Sequence, residues 1–372
     1  MSFDFDIPKI TVENDSMIQV VSSDNAGGRL GVIADLGFNS TDIIIAKDYR
    51  DFLSNIPASA LENPTLDLKS FEQFFKQKED SLGASYVTVA PVGSSYTVAS
   101  FGNALDKLQD EDFDILVVLK PIEYVDTTIE SVEIKDTYLT MLKNWLKARY
   151  EVKNGVGAIF GLRESNETGK DIITRMKDFG RGCYACIFQE INGMTLNETI
   201  GFISGTIAGR NLNKSLTSKV VSEMESITDE NGINKEVLFS DENSKGKQYM
   251  NNGIMVFRVF NRRKGEFGVL RSVCPTGYDL AIERSADYMT REFQLKDYLG
   301  DSNNVVTLNG ISAEINSRKY DFINTMNLCK DIITTITKVN HHTVEVLIEY
   351  VFDGIIDWIK VSIKYTLNDG DE

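Results

Sequence analysis

The chain has 372 residues, 42% of them hydrophobic, and its 55 acidic side chains outnumber 39 basic ones for a formal net charge of −16. That length suffices for two or three domains with real cores, and the acidic balance excludes nucleic acid as a partner over a broad face. No run of about 18 apolar residues predicts a transmembrane helix, and the acidic opening stretch MSFDFDIPKITVEND lacks the basic-then-apolar order of a signal peptide. The expectation is a chain made in the cytoplasm, with no direct membrane insertion.

Residues 1–28 read as an N-terminal arm and linker. Ile7, Ile10 and Val12 alternate weakly around Pro8 and lead into the loop Ser22–Gly28. The plainer alternative is a first strand of the domain that follows.

Residues 29–210 read as an α/β domain. Leu30–Ala34 and Asp42–Ile45 are short apolar strands, and Asp48–Leu53 is a short helix. Leu66–Lys78 is a helix with Leu68, Phe71, Phe74 and Phe75 on one face. Tyr86–Ala90 is a strand stopped by Pro91, Tyr96–Val98 suggests another, and Phe101–Gln109 is helical. Phe113–Leu119 is almost continuously apolar, as suits a strand buried on both faces. Thr128–Tyr150 is predicted to be the longest helix; Gly155–Leu162 and Gly182–Phe188 are strands, with a helix over Lys170–Phe179 between them. Leu196–Gly209 is a helix lined with small residues (Gly201, Ser204, Gly205, Ala208, Gly209), which permit close backbone approach. A glycine at its end is expected to stop it by adopting positive φ, and Gly205, Ala208 and Gly209 to pack the two domains together. Strands alternating with helices at this spacing predict a mostly parallel sheet.

Residues 211–342 change character and read as an α+β domain. Ile254–Phe260 and Phe267–Val273 are strands around the basic turn Arg262-Arg263-Lys264, expected to be an exposed hairpin loop. Asp279–Leu299 is helical. Ile311–Val339 is read as one or two helices, the second carrying Phe322, Met326, Cys329, Ile333 and Ile336 on one stripe. Residues 343–372 form a C-terminal β arm or hairpin. Val344, Val346, Ile348 and Tyr350 alternate with Glu345, Leu347 and Glu349, and after Asp353-Gly354 Ile359, Val361, Ile363, Tyr365 and Leu367 alternate with Lys360, Ser362, Lys364 and Thr366.

No local motif predicts catalysis, a cofactor or a metal. Gly155–Gly161 misplaces the third glycine of a dinucleotide fingerprint and lies inside a strand. Gly27-Gly28 lacks the lysine of a phosphate loop, and GFISG at 201–205 displaces the serine of a nucleophile elbow. Cys183, Cys186, Cys274 and Cys329 are too sparse for a disulfide framework, and Cys183-Tyr-Ala-Cys186 reads as small residues in an apolar strand. The only histidines, His341 and His342, sit together in a connector.

The junction ISGTIAGRNLNKSLT at 203–217 resembles that of contractile phage tail sheath proteins and related contractile injection systems such as R-type bacteriocins. Collinear segments agree: Tyr49-Arg50-Asp51-Phe52, Asn252-Gly253-Ile254, Cys274-Pro275-Thr276, Ile282-Glu283-Arg284 with Asp287-Tyr288-Met289, Tyr298-Leu299-Gly300, and the final strands. The resemblance implies a non-enzymatic structural subunit. Its hexameric rings stack helically around an inner tail tube and contract to drive the tube through a cell envelope, in a virion tail or contractile particle assembled in the host cytoplasm. It implies self-association together with tube, baseplate and tail terminator partners. Arm strands containing Ile7, Ile10, Val12, Val344, Val346, Ile348, Ile359, Val361 and Ile363 would add to neighbours' sheets. A helix over 322–339 would face the tube with Lys330 and Lys338, and Gly27, Gly28 and Gly354 would serve as hinges. The alternatives are an α/β enzyme with a β-rich C-terminal domain, or another tail component such as a terminator or baseplate protein.

Overall fold

The computed structural model describes residues 28–353 apart from 39–41, 62–66, 77–80, 94–95, 123–125, 130–131, 136, 153, 163–175, 178, 229–244, 294, 296–297, 299–300, 302–303 and 341–342. The first half contains β1 (Arg29–Ala34), β2 (Ile44–Ala46), α1 (Tyr49–Ser54), α2 (Ala58–Leu61), α3 (Leu68–Phe75), β3 (Tyr86–Pro91), α4 (Val98–Lys107) and β4 (Ile115–Ile122). A hairpin of β5 (Asp126–Ile129) and β6 (Val132–Lys135) precedes α5 (Thr137–Glu151), β7 (Gly157–Leu162), β8 (Cys183–Ile187) and α6 (Leu196–Ala208). The second half holds β9 (Lys219–Val220), α7 (Lys245–Asn251), β10 (Val256–Asn261), β11 (Glu266–Arg271), α8 (Leu280–Glu292), α9 (Val305–Tyr320), β12 (Asp331–Lys338) and β13 (Val344–Val351).

The apolar runs become the centre of one sheet, in the order β2-β3-β1-β4-β7-β8. All neighbours pair in parallel except the short edge strand β2. Val32 lies opposite Val89 on one side and Val117 on the other. Such strands are apolar throughout because helices cover both faces of the sheet. Leu30, Val32, Phe52, Phe71 and Ile200 fill the core on one face, and Ile33, Phe101, Leu116, Leu142 and Trp145 fill it on the other. Leu216, Val221, Phe257 and Val269 join the first of these cores, so buried apolar packing continues past residue 210. A separate core gathers Met289, Phe293, Ile311, Ile315, Phe322, Ile332 and Ile348.

Several expectations are corrected. Tyr96–Val98 is no strand: Thr97 caps α4, its hydroxyl accepting from Ser100 N at 3.1 Å while Ser100 Oγ accepts from Thr97 N. The long helix expected from Thr128 starts only at Thr137, because β5 and β6 precede it. Thr127, Thr128, Ile129, Val132 and Ile134 are β-branched, a composition that favours strands. The expected second helix over 322–339 does not form. After α9, Asp321–Thr325 is one wide turn and β12 follows. The run Ile332-Ile333-Thr334-Thr335-Ile336-Thr337 is β-branched at every position, and this outweighs the apparent helical stripe. Of the helix expected over Lys170–Phe179, residues 170–175 and 178 lie outside the described residues.

The small residues of α6 also act differently from expectation. Gly209 ends the helix with φ −81°, so positive φ is not its role. A β-carbon on Gly201 would sit 2.6 Å from Ser70 O, one on Gly205 would sit 2.5 Å from Gln73 O, and one on Gly209 would collide with Gly83 N. These glycines therefore bring α6 against α3 and the 81–83 segment inside the α/β half, and do not join it to the C-terminal half.

Candidate functional site

α8 carries Asp279 at its N-cap and then Glu283, Asp287 and Arg291, a spacing of four that places all of them on one face. That face binds the amino ends of the sheet strands. Asp279 Oδ1 accepts from Ala281 N at 2.9 Å, and its Oδ2 accepts from the hydroxyls of Ser215 (2.7 Å), Thr217 (2.6 Å) and Ser272 (2.8 Å). Glu283 Oε1 accepts from Thr276 Oγ1 at 2.6 Å. Asp287 accepts from Tyr150 Oη (2.5 Å), Tyr184 Oη (2.8 Å) and Arg181 Nη2 (2.6 Å). Arg291 donates from Nη1 to Gly155 O at 2.8 Å and from Nη2 to Asp114 Oδ1 at 2.5 Å. Asp114 also accepts from Arg29 Nε and Nη2, both at 2.8 Å.

This seam is almost dry. Glu283, Asp287, Arg291 and Asp114 are all buried. Burial alone would raise the pKa of Asp114, but Arg291 and Arg29 outweigh it and hold the carboxyl below its usual range. Glu283 is pushed up by burial and by the charge of Asp287. The Tyr150 and Tyr184 phenols are pushed up by burial and by Asp287, which keeps them protonated as donors. Charges buried this way are stable only while every partner is present. The seam thus fixes α8 to the α/β sheet.

The second feature is the β12–β13 hairpin. It forms a two-stranded sheet in which Ile332 faces Tyr350, Thr334 faces Ile348 and Ile336 faces Val346. Its inner side packs on the C-terminal core; its outer side shows Ile333 and Leu347, 49% and 36% exposed, together with Glu345 and Glu349. Edges of so small a sheet present backbone donors and acceptors able to pair with a further strand.

Val344, Val346 and Ile348 are thus in β13, paired with β12 of their own chain, and Val346 and Ile348 pack into the C-terminal core. Lys330 is exposed just before β12, its backbone N donating to Val351 O at 2.7 Å and its Nζ 4.0 Å from Asp353 Oδ1. Lys338 ends β12 and is exposed. Neither lysine lies on a helix. Gly28 is buried, and its carbonyl accepts from Ser85 N at 2.8 Å. Ile7, Ile10, Val12, Gly27, Gly354, Ile359, Val361 and Ile363 lie outside the described residues, as do His341 and His342. Arg262–Lys264 forms the single tight turn between β10 and β11. The thiols of Cys183, Cys186 and Cys274 are buried, which pushes their pKa values up.

No family model matches this chain, and no curated protein matches it. Solved structures do. A chain of the anti-feeding prophage helical sheath in its contracted state aligns with 98% of this chain and 100% of its own length, at 13% identity and a TM-score of 0.61. The sheath tail protein of Desulfitobacterium hafniense covers 92% of this chain with 100% of its own, at 9% identity and a TM-score of 0.59. That of Listeria innocua covers 87% with 95% of its own, at 10% identity and a TM-score of 0.54.

This chain has the contractile tail sheath fold. The sheath fold runs through both halves, so its alignment takes in the polar seam and the hairpin together. The seam is all but silent in the sequence. Its one legible signal was the four-residue spacing of Asp279, Glu283, Asp287 and Arg291, whose partners come from five separate segments.

Proposed function

We propose that this chain is the structural subunit of a contractile tail sheath. It assembles into hexameric rings that stack helically around an inner tube protein, between a baseplate and a tail terminator, in a virion tail or related contractile particle built in the host cytoplasm. The observation that carries this reading is the end-to-end match with the anti-feeding prophage sheath, 98% of one chain on 100% of the other. Contraction would release stored conformational energy and involve no covalent chemistry. The buried seam supports a subunit that moves as one body, with Gly27, Gly28 and Gly354 as hinges for the arms. Residues 7–12 and 359–367 would add strands to a neighbour, and the open edges of β12 and β13 would receive them. Lys330 and Lys338, beside that hairpin, remain the candidates for tube contact.

Negative-stain microscopy of the purified chain tests the reading: long, striated, hollow tubes are expected. Uniform small particles at high concentration would sink it and favour an α/β enzyme. Closed rings without tubes would favour a terminator or baseplate part.

A further inference from the structure

We propose that the basic turn Arg262–Lys264 of one copy of this chain docks on the acidic turn 110–112 of another, a head-to-tail contact along the strand direction of the central sheet. It rests on the sheath reading and names two patches through which copies meet.

The two turns lie at opposite ends of the sheet. Residues 110–112 lead into β4, and Asp114 N donates to Arg29 O at 2.9 Å where β1 begins. This turn is therefore at the amino ends of the parallel strands. The other turn is placed by β10. Met255 N donates to Cys186 O at 2.9 Å and Phe257 N to Gln189 Oε1 at 2.6 Å, so β10 runs beside β8 in the same direction. It continues past Ile187, the last residue of β8, as far as Asn261. The chain then returns through β11 to Cys274, whose thiol donates to Tyr184 O at 3.5 Å. Arg262–Lys264 thus lies beyond the carboxyl ends. Strands of six residues hold the two ends about 20 Å apart.

Each end carries charge that the chain itself leaves unpaired. Arg263 and Lys264 are exposed. Arg263 has no hydrogen bond or ion pair among the described residues, and Lys264 Nζ comes only within 3.9 Å of Glu266 Oε1. Arg258 lies 5.6 Å from the Phe260 ring, and its Nε has no hydrogen-bond partner among the described residues. At the amino end Asp110 and Glu151 are exposed, and neither has an ion pair among the described residues. Buried Arg149 builds this end by donating to the carbonyls of Leu108, Gln109, Glu111 and Asn154, which ties the end of α5 to the turn. Those bonds go to main-chain oxygens and leave the carboxylates of Asp110 and Glu111 unpaired by it. Asp112 differs, since Arg29 pairs with it. α4 and α5 both end here, and their C-termini add partial negative charge.

Because the two patches differ, each pairing leaves one free patch at either end of the pair. Such a heterologous contact continues into a ring or a helix. Opposite potentials steer the encounter and penalise the alternatives in which two basic or two acidic turns meet.

Two experiments on the full chain test this. Lys264→Cys and Asp110→Cys placed on one chain and oxidised during assembly should give a ladder of disulfide-linked oligomers. The two new cysteines of a single chain are too far apart to bridge, so each link joins two copies. Lys264→Cys alone should stay unlinked; dimers from it would mean that the basic turns meet each other and would overturn the contact. Tubes without a ladder overturn the contact and leave the sheath reading standing. A ladder without tubes keeps the contact and removes the sheath reading, and the absence of both removes both. Charge reversal by R263E/K264E should raise the concentration needed for assembly about tenfold, because attractive pairs become repulsive. Adding D110K/E151K to the same chain should restore it. Parent-like assembly of R263E/K264E, or no rescue by a four-site variant that unfolds at the parent's temperature, would refute the pairing of these two ends.

Discussion

Asp287 of α8 accepts the hydroxyl of Tyr184 at 2.8 Å, a bond across 103 residues of sequence that ties the C-terminal half to β8. The same carboxylate takes the half-buried Tyr150 and Arg181, so one side chain satisfies three donors. Replacing Asp287 with Ala should cost about 1–3 kcal/mol, because it leaves the buried Tyr184 phenol without its acceptor and releases the half-buried Tyr150 and Arg181. Denaturant unfolding checks this; a loss well under 1 kcal/mol would mean water replaces the carboxylate.

Asp114 supplies the acid dependence. Its folded pKa lies below the usual 3.8 because Arg291 and Arg29 outweigh burial. The stability it provides is fully present above that unfolded value and is lost as pH falls through the lower folded one. Unfolding measured between pH 5 and pH 2 should steepen in this range, and Asp114→Asn should remove part of the slope.

Asp67 has the opposite sign. Burial, with the charges of Asp35 and Glu198, pushes its pKa up to about 7 against the bond donated by Asn197. From about pH 4 to 7 the unfolded chain gives up this proton while the native chain keeps it, so stability falls across that window and is level above it. Asp67→Asn keeps an acceptor for Asn197 and should stabilise the protein at pH 8, on the order of 2 kcal/mol. Equal stability of parent and variant at pH 8 would refute the raised pKa.

Two neighbours on α6 should respond in opposite ways. Gly205→Ala forces a methyl within 2.5 Å of Gln73 O and should destabilise by about 1–3 kcal/mol. Ser204 is fully buried and its hydroxyl has no hydrogen-bond partner among the described residues, so Ser204→Ala should be neutral or stabilising. Thermal unfolding of both variants distinguishes close helix packing from a general intolerance of this helix.

The four cysteines are free and buried. A thiol reagent should label none of them in the native protein and all of them after denaturation. Rapid labelling of native Cys183 or Cys186 would reopen a redox role for this pair.

The parallel strands were legible because each is a short, mostly apolar run, as a strand buried on both faces requires. α6 was legible as a helix lined with small residues, and its cap, the reciprocal bonds between Thr195 and Glu198, is added by the structure. β13 was legible from period-two alternation over Val344–Tyr350. β12 was misread because Phe322, Met326, Cys329, Ile333 and Ile336 mimic a helical stripe, although the chain turns at Asp321–Thr325 and the β-branched run then pairs with β13. Local preference was present in that run, but the available strand partner decided the outcome.

What the sequence determined by itself was therefore the local part: an acidic chain, a mostly parallel sheet with covering helices, a small-residue helix and a final strand. These follow from periodicity and propensity, which act over a few residues. Only the tertiary structure decided what the small residues of α6 touch, which strand β13 pairs with, and how Asp279, Glu283, Asp287 and Arg291 find Ser215, Thr276, Tyr184 and Asp114. Those contacts depend on groups far apart in the chain meeting in a dry interface, where a charge is tolerated only beside its partner, and no local pattern encodes which partner that will be.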